Sequence, residues 1–88
     1  MFMLVSSYPL FAAERIITLK VPGCEWPDTA GRVRAALKEI PGVLQYNANQ
    51  FSHEVTVKFD DTQTSIDKII EGLARHDFPI EGKPKIIQ

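Results

Sequence analysis

Apolar residues recur with a period of two in RIITLKV (residues 15–21) and again in HEVTVKF (residues 53–59). After a break, each stretch is followed by one with a period of about 3.6 residues. The first of these holds Val33, Ala36, Leu37 and Ile40; the second holds Ile66, Ile69, Ile70, Leu73 and Ala74. Period two marks a half-buried strand, and the longer period marks a helix with one buried stripe. An element with one apolar face must cover it with another element. A chain of 88 residues holds one small domain, so these four faces have to cover each other.

The breaks place the remaining elements. Pro22-Gly23 ends the first strand, and Asp28 or Thr29 is positioned to cap the first helix, with Pro27 beside the cap. Pro41-Gly42 stops that helix. Residues 43–49 read as a second strand, weakened by Asn47 and Asn49, with a turn at 50–52. The third strand covers 53–59, with Val55, Val57 and Phe59 facing in. Thr64 or Ser65 caps the second helix, and Asp67 sits in its first turn, where the helix dipole favours an acid. Phe78-Pro79-Ile80 starts a last short strand, and residues 82–88 read as a tail. The order is βαββαβ. It implies an α+β fold of the ferredoxin-like type: a four-stranded antiparallel sheet, two helices on one face, and the other face open to solvent.

Composition narrows the function classes. A formal net charge of −1 gives no electrostatic footprint for nucleic acid or an anionic membrane. Cys24 is the only cysteine, so an internal disulfide is excluded. No apolar run is long enough to span a bilayer. Residues 1–13 differ from the domain at 14–88: they are apolar, lack Lys and Arg, and end in Ala12-Ala13. They read either as an N-terminal arm or as a truncated signal peptide. The second reading implies a periplasmic protein, the first a cytoplasmic one.

With the elements placed, the chain resembles the heavy-metal-associated domain family, and most of all its periplasmic mercury-binding and copper-chaperone type. The family signature runs strand, G-M-x-C-x-x-C, then x-x-x-[VI]-x-x-A-L and a short run ending in G-V. Val33, Ala36, Leu37, Gly42 and Val43 match it. EVTVKFDDTQTSIDKIIEGLARHDFP (residues 54–79) is similar to the family's third strand, D-x-x-x-T-S loop, second helix and closing aromatic, here Phe78. The resemblance covers residues 16–80. It implies binding and delivery of a soft metal, Cu(I) or Hg(II), with a metal transporter or another heavy-metal-associated domain as partner.

The metal motif itself is absent. Counting back from Val33, the family's second cysteine falls on Thr29, its first on Trp26 and its methionine on Cys24; counting forward from Val21-Pro22-Gly23 gives the same register. Two thiolates at a helix N-terminus hold a soft ion in near-linear geometry, and the helix end favours the thiolate form. Trp26 has no soft donor, and the Thr29 hydroxyl is a poor one. The resemblance places Cys24 where the family's methionine anchors the loop in the core, which makes it a small buried hydrophobe. The alternative is that Cys24 is itself a metal ligand, with His76 as a second donor or with Cys24 of a second chain in a homodimer. His76 also reads as a solvated histidine near a helix C-terminus. Trp26 is either a partner-contact anchor or a lid folded over the helix start.

Other candidates are weaker. His53 begins a strand and lies far from the loop. Asp60-Asp61, with Thr62, Thr64 and Ser65, reads as a turn and cap rather than a carboxylate site. No nucleophile–base–acid set is visible, so an enzyme is not expected. Two alternatives stand beside metal transport: a metal-independent protein-interaction domain, and an ACT-like module that senses a small molecule.

Overall fold

The computed structural model describes residues 13–88. Six elements follow in order: β1 (Glu14–Lys20), α1 (Pro27–Lys38), β2 (Val43–Asn49), β3 (Glu54–Asp60), α2 (Ile66–Arg75) and β4 (Glu81–Ile86). The strands form one sheet in the order β2-β3-β1-β4, antiparallel at every pair. β3 therefore lies between β1 and β2, which the helix α1 connects. This is the ferredoxin-like arrangement expected from the order of elements. Among the described residues no helix is long and apolar enough to cross a membrane.

The two period-two stretches pair with each other along their length, from Glu14 opposite Asp60 to Lys20 opposite Glu54. That register puts Ile17 and Leu19 on the same side as Val55, Val57 and Phe59, and all five are buried. Val33, Ala36 and Leu37 of α1 and Ile69 and Leu73 of α2 cover this side. Burying a side chain the size of Leu37 contributes about 1.5–3 kcal/mol. Both helices are needed to close the core, so neither stripe stands alone. Ala74, expected in the α2 stripe, is exposed instead. It lies at the edge of the stripe in the last turn, where the helix is already leaving the sheet.

Each cap follows from local chemistry. At α2 the expected cap forms: Ser65 Oγ accepts the N–H of Lys68 at 3.2 Å. At α1 the cap is Trp26, not Asp28 or Thr29. An indole N–H can only donate, so the Trp26 side chain satisfies none of the helix's free N–H groups. Only the return half of a capping box forms, with the Thr29 hydroxyl accepting the N–H of Trp26 at 2.9 Å. The turn after α2 closes with Asp77 in the left-handed region, φ 68°.

Three further expectations are corrected. His53 does not begin β3; it ends the preceding turn in the left-handed region at φ 61°. Asn49 organises that turn, its side-chain oxygen accepting the N–H of Phe51 at 2.8 Å and of Ser52 at 3.1 Å. Nor is His53 remote from residues 22–26, because its carbonyl accepts the N–H of Val21 at 2.7 Å. The last strand is Glu81–Ile86 rather than a segment starting at Phe78. Most of the expected tail is thus strand. EGKPKI has no alternating pattern because it is an edge held by backbone bonds to β1, where Pro84 and two lysines are tolerated.

Glycine is required where α1 meets the β3–α2 corner. Gly42 has φ +96°, and a Cβ there would lie 2.9 Å from Gln63 Cβ and 3.0 Å from Thr64 Cγ2. Gly82 has φ +73° with open space around it. Gly42→Ala combines backbone strain with a clash and is expected to cost about 2–3 kcal/mol. Gly82→Ala carries the strain alone, about 1 kcal/mol. Urea titrations of both variants test this: equal losses would contradict the packing assigned to Gly42.

Candidate functional site

Residues 22–29 carry the chain from the end of β1 to the start of α1. Pro22 and Gly23 make the turn, and the Cys24 N–H donates to the Val21 carbonyl at 2.9 Å. That turn aims the Cys24 side chain inward. Cys24 has no exposed surface and belongs to the same core cluster as Val21, Val33 and Leu37. Burial pushes its thiol pKa up, and the positive charge of Arg34 opposes the shift only in part. The environment favours the neutral thiol, which is neither a good nucleophile nor a metal ligand.

The next residues turn outward. Trp26 is 64% exposed, so it does not fold back over the helix start. Thr29, one turn later, is half-buried, and its hydroxyl is fully used. It accepts the N–H of Trp26 at 2.9 Å and of Glu25 at 3.2 Å, and donates to the Trp26 carbonyl at 3.0 Å. The two family ligand positions thus hold an exposed indole and a hydroxyl that ties the loop to the helix. Neither offers a soft donor, and Cys24 lies on the other side of the loop backbone.

Phe78 supports the loop from below. A Cβ on Gly23 would lie 3.2 Å from the Phe78 ring, and the Arg32 guanidinium sits 5.4 Å from its centroid. Phe78 is 3% exposed, as expected for a closing aromatic in the core. His76 does not complete a site at Cys24. It ends α2, and its Nε2 is 3.5 Å from Glu39 Oε1, at the C-terminal end of α1. Its side chain is 46% exposed and turned to Glu39, whereas Cys24 has no exposed surface. Among the described residues, no group of three or more His, Cys, Asp or Glu side chains is arranged to hold a metal ion.

Asp60 is accounted for by its turn. Its carboxylate accepts the Thr62 hydroxyl at 2.6 Å and the Thr62 N–H at 2.9 Å, and these bonds lower its pKa. Phe51 was not among the residues singled out from the sequence. It is 87% exposed at the tip of the β2–β3 turn, at the same end of the sheet as Trp26. A large apolar residue among the turn formers Asn49, Gln50 and Ser52 was the available signal.

The fold and loop define a class: a small βαββαβ module with a strand–loop–helix corner in the position of a metal-binding loop. Residues 18–78 match the family model of the heavy-metal-associated domain, and the chain belongs to that family. It is 32% identical over 75 residues to the mercuric transport protein periplasmic component of Shigella flexneri, a match spanning 85% of this chain and 82% of that one. The crystal structure of oxidized MerP from Ralstonia metallidurans CH34 superposes with a TM-score of 0.74 at 26% identity, covering 86% of this chain and all of the other. The N-terminal domain of a potential copper-translocating P-type ATPase from Bacillus subtilis, in its Cu(I)-loaded state, superposes with a TM-score of 0.75. At 18% identity, over 86% of this chain and 95% of that one, it shows the shared fold.

A buried, neutral thiol makes two measurable predictions. Maleimide should modify Cys24 at least about a hundredfold more slowly in the folded protein than in urea. Because the folded-state pKa is raised, the unfolded chain loses the thiol proton first. Stability is then complete below the ordinary thiol value of about 8.5 and falls as the pH rises above it. Cys24→Ala should remove that component of the decline. A thiol that reacts at the same rate in folded and unfolded protein would show that the loop does not bury it.

Proposed function

We propose that this chain is a soft-metal binding or transport module with a degenerate site. Its cargo would be Cu(I) or Hg(II), its partner a metal transporter or another heavy-metal-associated domain, and its compartment the periplasm. The reading rests on one observation. The family's strand–loop–helix corner is retained in register, and the only thiol in the whole sequence, Cys24, lies within it. Membership of the heavy-metal-associated family and similarity to a mercuric transport protein support the cargo class and the partner. The periplasmic assignment rests on the same relative and on the apolar character of residues 1–13, which we read as a segment separate from the domain at 14–88. No catalytic role is proposed.

The residues as arranged do not fit a resident two-thiolate site. Trp26 and Thr29 replace the chelating pair, and Cys24 is held in the core as a neutral thiol. A soft ion taken up by this chain would therefore use Cys24 alone, after residues 22–26 release it. A second thiol would have to come from another chain. His76 is a poor candidate for the second donor while it faces Glu39.

Native mass spectrometry under reducing conditions, with one equivalent of Cu(I) or Hg(II), tests this reading. Wild-type protein should bind at most one ion per chain, or one per pair of chains, and Cys24→Ala should bind none. The double variant Trp26→Cys/Thr29→Cys places two thiols at the helix start and should bind one ion per chain more tightly than wild type. Equal uptake by Cys24→Ala and wild type would overturn the role of Cys24. No uptake by wild type would end the metal-binding reading.

A further inference from the structure

We infer that the loop end of the molecule is a docking surface for a protein partner presenting lysine or arginine around an apolar socket. Trp26 and Phe51 are its two anchors. β1 ends at Lys20, which pairs with Glu54 at the start of β3 and Glu81 at the start of β4, and Asn49 at the end of β2 also pairs with Glu54. The loop at 21–26, the turn at 50–53 and the connection at 76–80 therefore emerge from the same end of the sheet. Among the described residues the two most exposed large hydrophobic side chains, Phe51 at 87% and Trp26 at 64%, both sit there.

The fold requires neither aromatic. The turn uses only the backbone N–H of Phe51, which any residue but proline supplies. At the helix start Trp26 is an unfavourable choice, because Ser, Asp or Asn at that position would stabilise α1 by about 1 kcal/mol through a side-chain cap. A position that gives up capping energy to hold an exposed indole points to a use outside the fold. Tryptophan and other aromatics are the residues that most often dominate binding at a protein interface.

Charge specifies the partner. Glu25 and Asp28 flank Trp26, and Glu54 follows the turn that carries Phe51. Asp77 and Glu81 bracket the third connection. The ion pairs of the described residues join Lys58 to Glu14, Arg75 to Glu71 and His76 to Glu39, so none of these five carboxylates is paired. Lys20, Arg32, Arg34 and Arg75 are the cations nearest this end; Arg32 is engaged over the Phe78 ring and Arg75 with Glu71. An acidic rim around two aromatic anchors complements a cationic surface with an apolar centre, and it repels both an anionic lipid surface and a second copy of this end.

This inference rests on the reading that the chain works by docking to a metal-handling partner, but not on Cys24 binding a metal. The test is therefore run in chelator-containing buffer. A displayed random peptide library is selected against the immobilised protein, and the sole tryptophan reports binding of each selected peptide through its fluorescence. Selected peptides should be enriched in Lys or Arg beside apolar residues, should shift Trp26 emission to the blue, and should bind less tightly as salt rises. Phe51→Ser, and separately Glu25→Gln with Asp28→Asn, should each weaken binding by about tenfold, with circular dichroism unchanged. Failure to select any peptide, enrichment in acidic residues, or equal binding by Phe51→Ser would overturn the inference. So would a blue shift on phosphatidylcholine vesicles alone, which would mark the end as a membrane contact. A selection that succeeds while native mass spectrometry finds no metal uptake would separate the docking surface from the metal reading.

Discussion

The sheet has one inside, and most of the molecule follows from that. Ile17, Leu19, Val55, Val57 and Phe59 form one apolar face that two amphipathic helices must cover together. The connection from β1 to α1 has to climb from the sheet layer to the helix layer without opening the core. It does so by turning one side chain in and the following ones out. Cys24 is the side chain turned in, between Val21 of the sheet layer and Val33 of the helix layer. A polar or charged group at that position would be buried without a partner. The thiol is accepted because, kept neutral, it behaves as a small hydrophobe.

That requirement separates the loop into two parts with different obligations. Residues up to Cys24 answer to the core. Residues from Glu25 to Thr29 answer to the helix terminus, whose first N–H groups need acceptors. Thr29 meets part of this need by tying its hydroxyl back onto Glu25 and Trp26. With the loop fastened at both ends, the two outward positions differ in duty: the Trp26 side chain carries none, and Thr29 carries the tie. In a chelating version of this corner they would hold thiols beside the positive end of the helix dipole. Here the same positions carry an indole that cannot bind a soft ion and a hydroxyl already committed to the backbone. The corner keeps its scaffold and has exchanged its chemistry.

Much of this was legible in the sequence, and the limits have physical causes. β1, β3 and both helices were readable because each buries one face and so shows a period. β2 was readable despite two asparagines because they fall at outward and terminal positions, where Asn49 is useful as a turn acceptor. β4 was not readable, since an edge strand bonded on one side through its backbone needs no side-chain pattern. The cap of α1 was misplaced because the chain uses a residue that cannot cap with its side chain. The registration of Cys24, Trp26 and Thr29 could be counted from the flanking residues. The outward pose of Trp26 could not, because burial and exposure of an aromatic at a loop depend on whether the core beneath is already closed. Phe78 closes it, packed under Gly23 and held by Arg32.

Phe78 therefore decides more than its own position. Its ring fills the space beneath Gly23, and the indole of Trp26, three residues on, stands outside the core. Phe78 and Cys24 both complete the core at this corner, and Trp26 is left outside it. Drawing Cys24 out to meet a metal would leave its place in the core empty, and the same movement would disturb the turn closed by its N–H on the Val21 carbonyl. Under the two proposals, metal uptake through Cys24 and docking through Trp26 would oppose each other within one chain. A partner that holds Trp26 in its outward pose would also hold Cys24 in.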